Sequence, residues 1–377
     1  MPDVVVVGGG IVGLSVAWSL KRRGAGRVTL LEKGSCGQGS TGKATGGVRS
    51  QFGSEVNVRL SVASLPYFLD WTAIHGGDVA YRPVGYLFLA TTRDHLDSQA
   101  RGADLQRACG ARVDLLSPED VATRLPGVNL DGILGASFGP DDGLADPGAA
   151  VASLVSSCRH SGVVVTEGRE VQAVAVRSGR AVGVRTTHGE CPADVVVIAA
   201  GPWSPAVLAG TGFELPVIPR HRQVYRSTAV AGLPSPCPFV VDLGSGVYFH
   251  TDVHGLIFGG GDREGAPGLD ESFHEDEAPR IIGLLSDRLP QVLEARLTGG
   301  WAGVRDMTPD HHGVLGWVPG IEGLMLATGF SGHGFMHAPA VGEEAARLAL
   351  GEPAKIDLSA LAPSRFAGQL RKESYVF

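Results

Sequence analysis

The chain has 377 residues, a formal charge of −7 from 32 basic and 39 acidic side chains, and 55 glycines. That length suffices for two domains or one interleaved body, with a core that needs no disulfides or metal clips. The acidic balance excludes a nucleic-acid binder built on a basic face; the hydrophobic content excludes disorder, and the aperiodic glycines exclude collagen while pointing to tight turns and close backbone–ligand approach.

The run Asp3 to Val7 (DVVVV) is β-branched without alternation, which predicts a parallel strand buried on both faces. Ile11 to Leu20 carries apolar residues at helical spacing and ends in Lys21-Arg22-Arg23-Gly24, basic residues followed by a glycine stop. Arg27 to Leu31 predicts a second strand, so the chain opens as strand, helix, strand. The uncharged stretch Val4 to Leu20 is interrupted by glycines and preceded only by Met1, Pro2 and Asp3. It therefore reads neither as a signal peptide nor as a membrane span, which needs about 20 apolar residues.

Tyr81 to Thr92 and Asp242 to Gly261 predict antiparallel strands with glycine turns. Ser117-Pro118-Glu119-Asp120 predicts a helix start, with Ser as N-cap and Pro in the first helical position. Asp194 to Ile198 and Gly323 to Thr328 read as further buried strands, and His337 to Leu350 as a helix. The prolines between Pro202 and Pro238 read as a linker. His274 to Glu277 reads as a solvated helix start. Cys36, Cys109, Cys158, Cys191 and Cys237 are scattered and odd in number, so no disulfide framework or zinc site is expected, and a reducing cytoplasm is the expected compartment. Asp310-His311-His312 has adjacent ligands that do not converge, so no metal is expected. The expected fold is α/β. A Rossmann-like nucleotide-binding domain is assembled from residues 1–80, 143–215 and 299–377, and an antiparallel β-sheet substrate domain from 81–142 and 216–298 is interleaved with it.

Gly8, Gly10 and Gly13 form G-x-G-x-x-G between the first strand and its helix. Gly8 permits the turn, Gly10 lets a pyrophosphate approach, and Gly13 lets helix and strand pack closely. Glu32 ends the second strand about 20 residues further on, where a carboxylate accepts ribose hydroxyls. The following Gly39 to Arg49 segment (GSTGKATGGVR) is small and hydroxyl-rich. It either wraps a long prosthetic group, which favours FAD over NAD, or forms a flexible surface loop. Gly329 to Met336 (GFSGHGFM) joins a buried strand to a helix and presents backbone N–H groups at that helix N-terminus.

The opening motif with Glu32, GSTGKATGGVRSQF, AAGPWS at Ala199–Ser204 and TGFSGHGFMHAPAVG at Thr328–Gly342 together resemble the D-amino-acid oxidase superfamily, with sarcosine oxidases and glycine oxidase the nearest likeness. The resemblance covers essentially the whole chain. It implies FAD bound by separated segments beneath an antiparallel sheet. Ile11 and Val12 would meet the pyrophosphate, and Glu32 and Lys33 the adenosine ribose. Ser40, Thr41, Thr45, Gly46 and Gly47 would follow the cofactor to the isoalloxazine. Val171 would hold adenine through its backbone, and Ala200, Gly201 and Trp203 would complete the cofactor contacts. Phe330, Ser331, Gly332, His333, Gly334, Phe335 and Met336 would line the pyrimidine side. Arg305 matches the arginine that grips the substrate carboxylate in glycine oxidase, and Tyr248 the tyrosine that assists it. Arg49 stands where monomeric sarcosine oxidases place their own carboxylate arginine. His333 either bonds flavin or substrate or satisfies the loop backbone.

Three positions depart from the monomeric sarcosine oxidases. Gly303 replaces the cysteine that tethers flavin, so FAD is expected to be noncovalent. Met336 replaces a carboxylate-binding lysine, and Ile257 an oxygen-activating one. The function expected is FAD-dependent oxidation of a small amino acid, preferably a secondary amine such as sarcosine or another N-substituted glycine. Hydride passes to flavin, the imine hydrolyses to an oxo acid plus an amine, and O2 becomes H2O2. No side chain stands out as an indispensable general base. The alternatives are a dehydrogenase that passes electrons to a quinone or partner subunit, and a noncatalytic flavin-binding assembly subunit. No nucleic acid or membrane span is expected, and a homo-oligomer is compatible with the sequence.

Overall fold

A computed structural model describes residues 1–261 and 265–375. Its nucleotide-binding part is built around Val4–Val7, which pairs in parallel with both Val28–Leu31 and Val195–Ile198. Strands Val164–Thr166, Leu324–Thr328 and Val314–Trp317 complete a six-stranded sheet, antiparallel only at the last pair. The unbroken valine run follows from burial on both faces. Val4 and Val6 pack among the helices Ile11–Arg22, Glu55–Leu69, Pro147–His160 and Gly334–Ala349. Val5 and Val7 pack beneath the three-stranded antiparallel sheet Val171–Arg177, Arg180–Thr186 and Gly189–Pro192. The predicted helix at Ser117 is present as Pro118–Arg124, closed by a reciprocal Ser117–Asp120 capping box.

An eight-stranded sheet forms the second layer, in the order 297–307, 218–227, 255–260, 247–252, 239–242, 86–90, 135–139, 114–116. It is antiparallel except that Tyr86–Ala90 runs parallel to Phe239–Asp242, a crossover that the local sequence does not encode. The proline-rich stretch is not simply a linker. Ile218–Ser227 within it is a ten-residue strand that pairs on one side with Leu297–Met307 and on the other with Gly255–Gly260. Pro219 is tolerated near the start of that strand. Leu297–Met307 also belongs to this sheet by its hydrogen bonds, so the boundary expected at residue 299 falls inside a strand. All five cysteines are free thiols. Among the described residues, no helix is long and apolar enough to cross a membrane.

The first helix and the Gly334–Ala349 helix cross closely at Gly342. A Cβ there would stand 2.6 Å from the backbone carbon and oxygen of Ser15. Replacing a mid-helix glycine by alanine ordinarily gains about 1 kcal/mol, but overpacking against rigid backbone costs about 1–3 kcal/mol. The clash dominates, so Gly342→Ala is expected to lower the thermal midpoint by about 2–6 °C. An unchanged or raised midpoint in thermal unfolding would show that the helices yield at this crossing.

Candidate active site

The carboxyl ends of the parallel strands open toward the face of the eight-stranded sheet, and a cavity of about 710 Å³ lies between them. This is the crevice in which open α/β sheets bind ligands. At its inner end Gly8 turns the chain with φ +112°. A Cβ on Gly8 would strike the Ala199 carbonyl, and one on Gly13 the Gly8 carbonyl. Gly10 is the N-cap of the first helix and supplies no side chain. The Thr41 hydroxyl reaches over to accept the Ile11 N–H at 3.1 Å, which fixes the Ser40–Lys43 turn above the helix end. The Glu32 carboxylate accepts the N–H groups of Gly9 (2.7 Å) and Gly34 (2.9 Å), holding it at the cavity wall. The Lys33 ammonium stands 3.7 Å over the Trp203 ring, and Ser40 donates to the Val304 carbonyl at 2.5 Å, joining this turn to the eight-stranded sheet.

Gly8, Gly10, Ile11, Val12, Glu32, Lys33, Ser40, Thr41, Thr45, Gly46, Gly47, Val171, Ala200, Gly201 and Trp203 all line this cavity. So do Phe330, Gly332, His333, Gly334, Phe335 and Met336, together with Arg49, Tyr248 and Arg305. Gly13 and Ser331 do not line it. Gly13 packs behind the turn, and the Ser331 hydroxyl points the other way, accepting the Thr308 N–H at 3.1 Å.

At the outer end, Tyr86, Phe239 and Tyr248 stack in sequence, with centroids 4.3 and 5.3 Å apart. Burial raises the Tyr248 hydroxyl above the ordinary tyrosine range, against the opposing pull of Arg305 and Arg222, so it stays a proton donor. Arg305 is pressed against the Gly329–Met336 loop, since a Cβ on Gly332 would lie 3.0 Å from Arg305 Nε. Arg49 is buried. Its guanidinium donates to the carbonyls of Gln51 and Tyr375, the latter at 2.5 Å, and lies 3.9 Å over the Phe52 ring. His333 Nε2 stands 3.5 Å from Arg49 Nη2. Burial, reinforced by Arg49 and His337, drives the His333 pKa well below the ordinary histidine value, and the ring is neutral.

Sequence reasoning missed Asp306, whose only signal is its place directly after Arg305. Its Oδ2 accepts the N–H groups of Gly329 (2.7 Å) and Phe330 (3.2 Å), and its carbonyl accepts that of Ser331 (3.1 Å). Burial pushes its carboxyl up to about 6. Lys43, Arg222 and Glu271 were likewise missed and also line the cavity. Gly303, the position matching the tethering cysteine, is covered by Lys43, whose stem would meet a Cβ there at 2.6 Å. Asp310 is engaged by Arg365 at 2.8 and 3.1 Å. Among the described residues, no group of three or more His, Cys, Asp or Glu is placed to hold a metal ion.

The glycine turn, the acidic residue at the strand end and the long crevice under a second sheet define a dinucleotide-dependent oxidoreductase of the flavin type. The family model for FAD dependent oxidoreductases (DAO) matches residues 3–348, and the chain belongs to that family. It is 33% identical over 97% of its length to "FAD-dependent oxidoreductase domain-containing protein 1" of Bos taurus, covering 84% of that protein. L-proline dehydrogenase from P. horikoshii superposes with a TM-score of 0.91 at 30% identity, over 98% of this chain and 99% of that one. Glycine oxidase from Geobacillus kaustophilus does so with a TM-score of 0.84 at 26% identity, over 97% and 98%. The protein is FAD-dependent, and the glycine cradle and the Glu32 carboxylate are suited to the dinucleotide.

Asp306→Ala leaves two loop N–H groups without an acceptor, each costing about 1–3 kcal/mol, and is expected to raise the fraction of protein isolated without FAD. Asp306→Asn keeps an acceptor oxygen and removes the buried charge. The native carboxyl titrates at about 6, above its unfolded value of 3.8. Its contribution to stability is therefore present below about pH 4 and lost as pH rises through about 6. The midpoint of Asp306→Asn relative to wild type is expected to improve between about pH 4 and about pH 7. A difference that stays flat with pH would show that Asp306 does not titrate in this range.

Proposed function

We propose that the protein oxidises the C–N bond of a small amino acid, preferably a secondary amine such as sarcosine, another N-substituted glycine or proline. The observation that carries this reading is Arg305 beside Tyr248, against the loop that bounds the cofactor cavity. A guanidinium fork matches a carboxylate bidentately and is charged at any working pH. The protonated Tyr248 hydroxyl adds a donor to the same carboxylate. Arg49 commits donors to two backbone carbonyls, which favours Arg305 as the main carboxylate ligand and gives Arg49 the wall of the chamber.

FAD, when bound, supplies the two-electron acceptor for the hydride. The chain's own residues bind and orient. Arg305 and Tyr248 fix the carboxylate and so the direction of the α-C–H bond, and that positioning is the larger part of the rate enhancement. The Tyr86–Phe239–Tyr248 stack with Phe330, Phe335 and Met336 excludes water from the reacting bond. The N-terminus of the Gly334–Ala349 helix presents its positive end to the same cavity, where negative charge develops. The imine product hydrolyses to an oxo acid plus an amine.

Two electron acceptors are consistent with this chemistry. With O2 the second product is H2O2. Ile257 favours the other reading, in which electrons pass to a quinone or partner subunit. It is buried opposite His250 and offers no cation where the sarcosine oxidases have a lysine. Peroxide formation in air against reduction of a quinone analogue separates the two.

The reading is tested by anaerobic flavin bleaching with glycine, sarcosine, proline, D-amino acids and bulkier N-alkyl glycines. Failure of every amine to bleach the flavin would favour a noncatalytic flavin-binding subunit. Arg305→Met is expected to cost about thirty- to several-thousand-fold in kcat/KM, the loss typical when one partner of a buried charge pair is removed, with an unchanged flavin spectrum. Arg305→Lys is expected to recover only part of this, since an ammonium lacks the planar fork. Near-normal turnover by Arg305→Met together with loss in Arg49→Met would move the carboxylate to Arg49.

A further inference from the structure

The segment from Gly265 to His274 runs along the outer side of the Ile218–Ser227 strand. The Arg220 guanidinium donates to the Gly265 carbonyl (3.2 Å), the His221 N–H to that of Ala266 (3.1 Å), and Gly268 N–H to that of Pro219 (3.1 Å). His221 Nε2 meets the Ser272 carbonyl at 2.9 Å, and the Gln223 side chain accepts the His274 N–H at 2.6 Å. Phe273 lies over Gly300, where a Cβ would meet its ring at 2.5 Å, and against Tyr225. These anchors fix Glu271 from both sides and deliver it to the cavity wall. In the strand register Arg220 lies opposite Arg305 and Arg222 opposite Gly303, so the segment that carries Glu271 is bonded to the strand paired with the one that bears Arg305, and Glu271 lines the same cavity as Arg305 and Tyr248.

Glu271 Oε1 is enclosed and has no hydrogen-bond partner among the described residues. An enclosed carboxylate oxygen without a donor is costly, and such atoms in a binding cavity mark where a ligand supplies the missing hydrogen. Across the same chamber stand cationic and hydroxyl groups suited to a carboxylate, and Glu271 is the complementary acceptor. On the reading of C–N oxidation given above, we propose that Glu271 receives the substrate's amine, accepting the N–H at the bond to be oxidised. The chamber then reads a zwitterion at both ends, with the carboxylate at Arg305 and Tyr248 and the amine at Glu271. This makes Glu271 a specificity-determining residue that selects amino acids over hydroxy or thioether acids of the same shape.

The test compares the FAD-loaded wild type with Glu271→Gln, whose flavin spectrum reports that the fold and cofactor are intact. Each is titrated anaerobically with sarcosine and L-proline, and with (methylthio)acetate and tetrahydro-2-furoate, which keep the carboxylate and lack the N–H. The readout is the concentration giving half of the maximal rate of flavin bleaching for the amines, and the concentration giving half of the change in the flavin spectrum for the isosteres. For the amines this is expected to rise about ten- to hundredfold in Glu271→Gln, the loss of a charge-assisted hydrogen bond, while the two isosteres stay within about twofold. An equal rise for amines and isosteres, or no rise for the amines, overturns the assignment. Failure of the underlying reading is separate, because then the wild-type flavin is not bleached by any amine even where the spectrum records binding.

Discussion

A single carboxylate joins the two layers of this molecule. Asp306 sits at the end of Leu297–Met307, the strand that carries Arg305, and its Oδ2 takes two N–H groups from the loop that follows Leu324–Thr328. Burying a carboxylate is unfavourable unless donors surround it, and here the donors are the loop's own backbone. The reciprocal bond from Ser331 N–H to the Asp306 carbonyl and the Thr308–Ser331 pair extend the stitch on either side. The antiparallel sheet and the parallel sheet therefore cannot shift independently where they meet. Arg305 and the Gly329–Met336 loop keep their relation because the residue next to Arg305 is bonded into that loop.

Two further buried acids account for the buried guanidinium of Arg49. Asp142 accepts the Ser50 N–H and hydroxyl, both at 2.8 Å, and the Gln51 amide at 3.1 Å. Glu373 accepts the Gly53 N–H at 2.6 Å, the Ser54 N–H and hydroxyl, and the Asn57 amide at 2.9 Å. Segments distant in sequence thus clamp residues 50–54 from two sides and turn the Gln51 and Tyr375 carbonyls toward Arg49. A buried cation is tolerated when its donors are satisfied and opposite charge is near. One carbonyl comes from nearby Gln51, but the other, from Tyr375, and the opposite charges, from Asp142 and Glu373, lie 90 and more positions away from Arg49, which is why local sequence gave no hint of them.

The parts of the fold legible in the sequence are those set by local pattern. The valine run, the glycine turn, the helix behind it and the Ser117 capping box each carry their signal within a few residues. The same holds for the cavity lining: short glycine-rich segments could be assigned to one site because each is itself a turn or a helix start. The long strand Ile218–Ser227 was hidden because Pro219, His221 and Arg222 break its apolar pattern, and its pairing partners lie far along the chain. The parallel pairing of Tyr86–Ala90 with Phe239–Asp242 is likewise a product of topology alone. Asp306 and Glu271 were illegible for a further reason. An acid in a polar stretch reads as solvated surface until the fold shows which backbone donors, or which cavity, it faces.

The electrostatics of the chamber follow from that combination of visible turns and hidden charges. Arg49, Arg222 and Arg305 contribute to one cavity, and a fourth positive group at His333 would add repulsion in a place already enclosed. Burial and the neighbouring guanidinium hold His333 neutral instead, so it lines the cavity as a polar ring without a charge. His337, one turn further along the same helix, is pushed down to about 3 by burial and then Arg49, and is neutral too. The positive field that remains comes from the guanidinium groups. Fixed cations and a helix N-terminus preorganised around one cavity stabilise negative charge there without reorganising when it arrives. On the proposed reading, a substrate carboxylate and a bound cofactor that accepts the hydride would both bring such charge, and one arrangement of cations would serve both.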